Sequence, residues 1–371
     1  MSDKQDLDQL RKEIDSIDKQ IHQLLNQRAE CAERVAETKL QAFSAENGGG
    51  DLSKVLFYRP EREAQVLRNV IDRNKGPLEG KTVARIFREI MSACLALEKP
   101  MEVAYFGPEG TFTQAATIKH FGQSVISLPQ SSIANVFSQV ESGQCHYGVV
   151  PVENSTEGMV SHTLDNFMDS PLKICGEVEL RIQLHLLANE TASPDTIKTI
   201  CAHAQALAQA RNWLDNNWPG IDRIAVASNA EAAKMAKADP SIAAVAGDIA
   251  AEQYGLMKLA KNIEDFANNT TRFLIIGTQE VAPSGSDKTS LIVEANNKPG
   301  ALLKLLEPFQ SSGVSLTRID TRPSRTDTWA YVFFIEFEGH KDDQVIADIL
   351  EGLGDHSRVL KVLGSYPKAV L

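Results

Sequence analysis

Val149-Val150-Pro151-Val152-Glu153-Asn154-Ser155-Thr156-Glu157-Gly158 is the stretch that decides the fold of the longest segment of this chain. The apolar run passes into Asn, Ser and Thr, a pattern that predicts a buried strand, a polar turn and then a helix. Open α/β sheets bind ligands at the carboxyl ends of their strands, where side-chain donors and backbone N–H groups suit an anionic substrate. Asn154, Ser155 and Thr156 are therefore candidates for such a site, although a turn of this composition can also simply cap the following helix.

A second polar cluster, Asn268-Asn269-Thr270-Thr271-Arg272-Phe273, leads directly into an apolar strand over residues 273–277. Between residues 101 and 280, short apolar strands alternate with helical stretches, which predicts an α/β segment with parallel strands joined by helices. The helical stretches include residues 132–139, 205–214 and 229–236. The apolar run 174–187 is expected to cross between two lobes, because the pattern restarts at 197–201. We therefore expect the two polar clusters to face each other across a cleft.

Near the amino terminus, apolar side chains recur at alternating spacings of three and four, the rhythm of a long coiled-coil-like helix. They are Leu7, Leu10, Ile14, Ile17, Ile21 and Leu24, continued by Arg28, Cys31 and Val35. After a flexible break at 44–51, a second helix is predicted from near Pro60 to a stop at 74–77. A third helix carries Val83 to Leu97, with Glu98 one turn beyond Cys94 on the same face. Residues 1–99 are therefore expected to be all-helical.

Three cations on the first helix have positions that suggest a shared task. Arg28 occupies a seam position where an apolar side chain is expected, so it either sets the register or serves a function. Lys39 lies eleven residues on, three turns plus about 20°, and shares that face. Arg11 lies seventeen residues before Arg28 and about 100° away, so a straight helix cannot easily send both into one pocket. We expect Arg11 to serve the pocket of a second protomer, which predicts an intertwined homodimer.

The carboxyl-terminal segment begins after residues 282–287, which have the composition of a linker. The elements then follow the order strand, helix, strand, strand, helix, strand, which is the ferredoxin-like α+β plan. Their expected bounds are 289–295, 300–311, 314–321, 329–337, 343–353 and 358–363. Pro299-Gly300 sets backbone N–H groups at a helix start, which suits an amino-acid carboxylate but is equally compatible with an ordinary turn.

The composition excludes several classes of partner. A formal net charge of −11 disfavours nucleic acid. No run of about eighteen apolar residues exists that could span a membrane, and the amino terminus is polar, unlike a signal peptide. Five cysteines, odd in number and widely spaced, argue against a disulfide framework and a metal site. We therefore expect a cytoplasmic protein that works on small molecules.

The motifs resemble a known family. Val150–Ser155 together with Thr271-Arg272-Phe273 resembles the two signature motifs of prephenate dehydratase, and Gly107–Phe112 looks like the opening loop of that family. Residues 1–99 resemble an all-helical chorismate mutase, and 288–371 resemble an amino-acid-sensing ACT domain. The resemblance implies a bifunctional chorismate mutase/prephenate dehydratase without metal or cofactor, with a two-lobed, periplasmic-binding-protein-like dehydratase domain over 101–280.

For the mutase, the resemblance implies a pericyclic rearrangement in which cations clamp the dicarboxylate chorismate. The implied chorismate-binding residues are Arg11, Arg28, Lys39, Arg59, Glu63, Cys94 and Glu98. Of these, Lys39 and Glu98 are implied to be catalytic. Glu98 departs from the amide found elsewhere in the family, and a carboxyl donates to the ether oxygen of chorismate only when it is protonated. Cys94 replaces a common hydroxyl, and Arg59 stands where an acid can occur.

For the dehydratase, the resemblance implies that Thr271 hydrogen-bonds to the ring hydroxyl that leaves prephenate. Arg272 is the expected carboxylate anchor, although an arginine that begins a strand is as often a surface residue. Asn154, Ser155 and Thr156 are expected on the opposite wall of the cleft. A third family motif is expected to add His203, Gln205 and Gln209, although a histidine after a strand is more often structural. Ala202 departs from the serine that is usual there.

The ACT resemblance implies a binding site for the effector phenylalanine between two such domains. The implied residues are Asn297, Pro299, Gly300, Ala301, Leu302, Asp320, Thr321, Arg322 and Pro323. We expect a homodimer, with a tetramer as the further form in the presence of effector. Two alternatives stay open at this point: an arogenate dehydratase, and an amino-acid sensor that keeps the fold without the chemistry.

Overall fold

The computed structural model describes residues 2–46, 55–295, 298–324 and 331–371. The chain divides into two units. The first is formed by the described residues of Met1–Arg59 with Val70–Met101 and Phe121–Ile126. The second is formed by Pro60–Asn69, Glu102–His120 and the described residues of Ser127–Leu371.

A search of the described helices for one long and apolar enough to cross a membrane finds none.

The three helices predicted before residue 100 are present among the described residues: α1 over Ser2–Glu46, α2 over Pro60–Arg73 and α3 over Gly80–Glu98. Pro60 opens α2, where its missing N–H group is not needed. Asn74 ends that helix, and its side-chain amide donates to the Leu78 carbonyl at 2.7 Å. Residues 44–46 of the predicted break are helical, because α1 continues to Glu46, and residues 47–51 lie outside the described residues.

The apolar seam of α1 is exposed along its amino-terminal half. The six seam residues Leu7, Leu10, Ile14, Ile17, Ile21 and Leu24 are 49% to 62% exposed. Leucine and isoleucine at helical spacing on one face are usually buried, because apolar area in water costs about 25 cal/mol per Å². This face is therefore an unburied apolar stripe in the single chain.

The second unit contains a six-stranded sheet, which we call the first-lobe sheet. Its strands are β1 (Glu102–Phe106), β2 (Ile126–Gln130), β3 (Tyr147–Asn154), β4 (Gly158–Met159), β5 (Lys173–Arg181) and β11 (Thr270–Gly277). They lie in the order β2-β1-β3-β11-β5, with β4 paired to the end of β3. The helices of this lobe are α4 (Phe112–Phe121), α5 (Ile133–Glu141) and α6 (Ser161–Asp169).

The expectation of parallel strands holds only in part of this sheet. β1 and β3 are parallel, as strands joined by a helix should be. β11 runs antiparallel to both of its neighbours, β3 and β5. The chain therefore returns from the second lobe with β11 inserted in the middle of the first-lobe sheet, between β3 and β5.

The second lobe is a five-stranded sheet in the order β10-β6-β9-β7-β8. Its strands are β6 (His185–Ala188), β7 (Thr199–His203), β8 (Asp222–Val226), β9 (Ile242–Ala246) and β10 (Met257–Ala260). Its helices are α7 (Ala204–Gln209), α8 (Arg211–Asn217), α9 (Asn229–Ala238) and α10 (Asp248–Tyr254). The run 174–187 crosses between the lobes as predicted, since β5 belongs to one sheet and β6 to the other.

The carboxyl-terminal segment has the predicted βαββαβ order and forms an antiparallel sheet, β13-β14-β12-β15. Its elements are β12 (Asp287–Ala295), α11 (Ala301–Ser312), β13 (Leu316–Pro323), β14 (Tyr331–Glu338), α12 (Gln344–His356) and β15 (Ser357–Pro367). The predicted start of the third strand, Trp329, lies outside the described residues. The expected linker 282–287 is bound to the rest of the second unit, because the Arg68 guanidinium donates to the carbonyls of Ser284 and Ser286 at 3.0 and 2.8 Å.

The first-lobe sheet and the carboxyl-terminal sheet share one apolar core. Ile174 of β5 and Val152 of β3 pack in the same buried cluster as Phe334 of β14 and Leu363 of β15. The Lys361 ammonium adds polar contacts by donating to the carbonyls of Phe167 and Ser170 at 2.9 and 2.6 Å. The carboxyl-terminal segment is thus packed directly on β3 and β5 of the first-lobe sheet.

Candidate active sites

In the first unit, α1 and α3 bring two cations and one carboxyl together. The Lys39 ammonium lies 3.7 Å from Glu98 Oε2 and donates to the Phe57 carbonyl at 3.0 Å. Arg28, on the same face of α1, reaches the Ile90 carbonyl of α3 at 3.5 Å. Cys94 is buried one turn before Glu98 on α3. The structure therefore brings Arg28 and Lys39 of α1 close to Glu98 of α3, while Cys94 is a buried residue on the same helix as Glu98.

The surroundings of Glu98 raise the pKa of its carboxyl. Its side chain is 11% exposed, and Oε2 has no hydrogen-bond partner among the described residues. Burial raises the pKa of the Glu98 carboxyl above its ordinary value, and the nearby charges of Lys39 and Arg28 lower it by less. Desolvation therefore outweighs the neighbouring cations in its effect on the Glu98 pKa, which is the direction of shift that a donating carboxyl needs.

Three other predicted chorismate-binding residues are Arg11, Arg59 and Glu63. Arg11 is exposed and pairs with Asp8 at 3.4 Å. It lies about 25 Å along α1 from Arg28, at about 1.5 Å per residue. Arg59 is exposed in the first unit, and Glu63 lies on the part of α2 that is grouped with the second unit. Their roles stay predictions.

In the second unit, Asn154 and Thr271 meet across the ends of β3 and β11. They are direct cross-strand partners, and Asn154 Nδ2 donates to Thr271 Oγ1 at 2.8 Å. Asn154 Oδ1 accepts the backbone N–H groups of Thr156 and Glu157 at 3.0 and 3.1 Å, which fixes the amide with its nitrogen toward Thr271. Because Thr271 Oγ1 accepts from this amide, its own O–H is available to donate to a bound molecule.

Further polar side chains fix the same arrangement. Asn269 Oδ1 accepts the other Asn154 N–H at 2.9 Å. Gln209 Nε2, from the second lobe, donates to Thr156 Oγ1 at 3.1 Å. Ser155 Oγ accepts the Thr270 N–H at 3.0 Å, so it ties the two polar clusters together. The prediction that Asn154, Ser155 and Thr156 face Thr271 from the opposite wall of a cleft is therefore wrong, because β3 and β11 are neighbouring strands of one sheet. The two polar clusters form one side-by-side network, which Gln209 of the second lobe also contacts.

Asn269 was quoted within the second cluster but not predicted as a site residue. It is 1% exposed, and its only sequence signal was its place two residues before Thr271.

Of the third motif, only Gln209 is shown to reach the network around Asn154. Gln209 is buried and reaches the network, as described above. His203 is exposed and caps α7, where its Nδ1 accepts the Gln205 N–H at 3.4 Å. This contact is structural, and the predicted substrate contacts of His203 and Gln205 stay predictions. Ala202 is fully buried in the strand.

Arg272 does not face the cleft, which corrects our expectation of a carboxylate anchor. Its guanidinium is buried and donates to Glu336 at 2.6 Å and Glu177 at 3.1 Å. Successive side chains of a strand point to opposite faces of the sheet, so Arg272 lies on the face away from Thr271. Burial lowers the pKa of the Arg272 guanidinium, but Tyr366, Glu336 and Glu177 together raise it well above its ordinary value, so the side chain stays charged in its buried place.

The predicted effector segment is partly described. Gly300 precedes α11 with a φ of 80°, a left-handed conformation that favours glycine, and Pro299, Ala301 and the 41%-exposed Leu302 surround it. Asn297 lies outside the described residues. On β13, Thr321 and Pro323 alternate with half-buried Asp320 and Arg322.

All three charged residues of β13 have partners in the single chain. Arg318 binds Asp320, and Arg322 binds the Asp165 carboxylate through Nε and Nη2, at 2.8 Å each. The Arg322 fork is therefore occupied by α6, and its predicted contact with an amino acid requires it to share or release Asp165.

Comparison with known proteins covers the whole chain. Family models match for chorismate mutase type II at residues 10–99, prephenate dehydratase at 103–281 and the ACT domain at 289–355. A bifunctional chorismate mutase/prephenate dehydratase of Pseudomonas aeruginosa is 56% identical over 371 residues, 100% of both chains. The protein of the same description from Aquifex aeolicus is 44% identical over 99% of both chains.

One solved structure is also close to the second unit. The prephenate dehydratase of Arthrobacter aurescens in complex with L-Phe is 34% identical, with a TM-score of 0.67 over 72% of this chain and 90% of that chain.

Proposed function

The chain belongs to the bifunctional chorismate mutase/prephenate dehydratase family, and from this premise we propose how its side chains divide the two reactions. It is a chorismate mutase and a prephenate dehydratase with an ACT regulatory domain. Chorismate is rearranged to prephenate, and prephenate is then decarboxylated and dehydrated to phenylpyruvate. The observation that carries the residue assignment is the pair of separate polar sites, one around Lys39 and Glu98 and the other around Asn154 and Thr271.

In the mutase pocket, Arg28 and Lys39 bind the carboxylates of chorismate and hold it in its compact, reactive conformation. The neutral Glu98 carboxyl donates a hydrogen bond to the ether oxygen, on which negative charge grows as the C–O bond breaks. The two negative charges of bound chorismate favour the protonated form of Glu98 further, because like charges raise a carboxyl pKa.

A second copy of the chain completes this pocket in our proposal. Six apolar side chains of α1 are about half exposed, and an antiparallel or parallel copy of the same helix would bury them. Arg11 lies on that helix about 25 Å from Arg28, too far to act in the same pocket. We propose that the homodimer places Arg11 of one protomer with Arg28 and Lys39 of the other, and that Arg59 and Glu63 line the edge of the pocket.

In the dehydratase site, the Thr271 O–H donates to the ring hydroxyl of prephenate. The C–C bond to the ring carboxylate breaks to release carbon dioxide, and its electrons make the ring aromatic as the C–O bond breaks. The leaving hydroxide takes one proton from solvent and departs as water. Thr271 has too high a pKa to be a full acid, so it acts as a hydrogen-bond donor that is stronger in the transition state. Asn154 aims Thr271, while Ser155, Thr156 and Gln209 hold the turn that carries Asn154; His203 and Gln205 form the rim.

Phenylalanine is the proposed effector. The related Arthrobacter structure is a complex with L-Phe. In this chain, the first-turn N–H groups of α11 beyond Gly300 suit the effector carboxylate, and Asp320 suits its ammonium. Thr321, Arg322 and Pro323 would line the same site, and two ACT domains together would enclose the side chain in a dimer or a tetramer. All five cysteines are free thiols, which supports a place in the reducing cytoplasm.

The test is to incubate the purified protein with chorismate and follow prephenate and phenylpyruvate, with and without phenylalanine. We expect prephenate to appear first, phenylpyruvate to follow, and phenylalanine to slow the second step. If prephenate accumulates without phenylpyruvate, and the protein does turn over added arogenate, the chain is instead an arogenate dehydratase. Binding of phenylalanine without turnover of any of these substrates would favour the non-catalytic sensor.

A further inference from the structure

Two neighbouring cross-strand pairs at the end of β3 and β11 face opposite sides of the sheet. Asn154 and Thr271 form one pair and meet through the 2.8 Å hydrogen bond. Glu153 and Arg272 form the adjacent pair, and their side chains meet partners from the carboxyl-terminal segment. A displacement of Glu153 or Arg272 therefore moves the backbone that carries Asn154 or Thr271.

Glu153 is the meeting point of two arginines. Its Oε2 accepts from Arg318 Nη1 at 2.5 Å, and Arg272 Nε lies 3.6 Å from the same oxygen. Arg318 belongs to β13 and has only 14% of its side chain exposed. The Glu153 side chain is 40% exposed, so water screens this charged hydrogen bond in part. Its short length and its buried donor still let the contact bear on the position of β3.

Arg318 also contacts the strand of the proposed effector site. Its Nε binds Asp320, two residues further along β13. One guanidinium thus joins Asp320 on the carboxyl-terminal sheet to Glu153, the residue that precedes Asn154.

Arg272, the cross-strand partner of Glu153, belongs to a buried cluster of ion pairs. It is bound by Glu336 of β14 and Glu177 of β5, and Lys288 of β12 lies 3.0 Å from Glu177 and 3.6 Å from Glu336. Glu336 also accepts from Thr317 and Tyr366 at 2.9 and 3.1 Å. Two acids and two bases balance in this buried cluster, so it holds β11 firmly against the carboxyl-terminal sheet.

We propose that Arg318 is a positioning residue for the dehydratase, which holds Asn154 and Thr271 in register through Glu153 and releases them when an amino-acid ammonium takes its place on Asp320. The inference rests on the proposed function, because it assigns the route between the effector site and the dehydratase site. Arg318 touches no substrate. Its effect is on the hydrogen bond that aims the Thr271 hydroxyl.

The decisive variant is Glu153→Gln, which removes the carboxylate that Arg318 binds. The Thr271 donor matters most in the transition state, so we expect kcat for prephenate to fall about tenfold with KM nearly unchanged. We also expect the remaining activity to resist phenylalanine, while calorimetry still detects phenylalanine binding. The mutase rate of the same preparation should stay at the wild-type value, which verifies that the chain is folded.

Glu179→Gln is the matched control. Glu179 is the cross-strand neighbour of Arg272 on β5, opposite to Glu153, and it is exposed. The substitution removes the same charge from the other side of Arg272 without touching Arg318. We expect kcat within about twofold of wild type and normal inhibition, since isolated exposed charges contribute little.

A second variant removes the other partner of the Arg318–Glu153 contact. Arg318→Gln should reproduce the kinetic profile of Glu153→Gln, and the double variant should be no worse than either single one. Additive losses in the double variant, or a Glu153→Gln enzyme that matches Glu179→Gln in kcat and inhibition, would overturn the proposal. A wild-type protein that failed to form phenylpyruvate would instead overturn the proposed function itself.

Discussion

Asn154 has one amide, and each of its atoms is committed. The oxygen accepts from the turn at Thr156 and Glu157, and the nitrogen donates to Asn269 and Thr271. Thr271 is thereby fixed as an acceptor toward Asn154 and a donor toward the cleft. This division of roles depends on the hydroxyl alone and not on the methyl group of threonine.

We therefore expect Thr271→Ala to lower dehydratase turnover by about a hundredfold or more, the usual loss when one transition-state donor is removed. Thr271→Ser keeps the hydroxyl and should retain a rate within about tenfold of wild type. Phenylpyruvate formation from prephenate measures both, and the mutase rate of each preparation is the control. Near-normal turnover of the alanine variant would remove Thr271 from the mechanism.

Glu98 predicts a pH dependence for the mutase. Burial raises the pKa of this carboxyl, so it is protonated below that raised value and becomes a carboxylate as the pH rises through it. The donor to the ether oxygen is then lost, and mutase activity should fall on the alkaline side. Glu98→Gln keeps a donor that does not titrate and should flatten the profile of kcat against pH. A fall of equal size in the glutamine variant would contradict this assignment.

Single residues also mark the limit of what the sequence can predict. Arg28 and Lys39 could be placed on one face of α1, and Cys94 and Glu98 on one face of α3, because each helix has a fixed period. Only the family resemblance implied that these two faces meet. The environment of Arg272 could not, because its partners Glu177 and Glu336 lie 95 and 64 positions away. The alternation along β11 shows that Arg272 and Thr271 face opposite sides of the sheet, but the sequence does not reveal which face is the cleft.

At the scale of elements, helices and the order of strands were predictable, because both follow from local periodicity and turn residues. The direction of β11 was not, since its pairing with β3 joins residues more than a hundred positions apart. The packing of the carboxyl-terminal sheet on β5 was likewise missed. The segment before it has the composition of a flexible linker, yet Arg68 binds its carbonyls.

The contact between β15 and β5 depends on one glycine. A Cβ on Gly364 would lie inside van der Waals contact of the Ile174 carbonyl oxygen, a backbone atom that cannot turn aside. We expect Gly364→Ala to destabilise the protein by about 1–3 kcal/mol, the usual range for overpacking. The midpoint of urea unfolding measures it.

Gly354→Ala is the control, because this glycine lies inside α12 with no neighbouring atom within 4 Å of the added Cβ. The same substitution there should be neutral or stabilising by about 0.5–1 kcal/mol, since alanine favours the helix. Equal losses at both positions would show that the close approach of β15 to β5 is not what limits stability.

For the whole molecule, the exposed seam of α1 predicts assembly. Ile17 is 54% exposed at the centre of the stripe, and a charge there cannot be buried against a second helix without a large cost. We expect Ile17→Glu to convert the oligomer to a smaller species and to lower mutase activity at least about tenfold. Lys19→Glu, which adds negative charge two residues away on the same exposed helix, should leave both properties near wild type. Light scattering and the mutase rate decide, and an unchanged mass for Ile17→Glu would contradict the proposed dimer.

The length of α1 predicts how two mutant alleles of this protein behave together. Arg11 and Lys39 belong to one uninterrupted helix but, in the proposed dimer, to different pockets. Two defective alleles, one lacking Arg11 and the other lacking Lys39, would therefore complement each other when expressed together. In each mixed dimer, one pocket would have both Arg11 and Lys39, and the other pocket would lack both. One active pocket per dimer would then restore growth, although each protein is inactive alone.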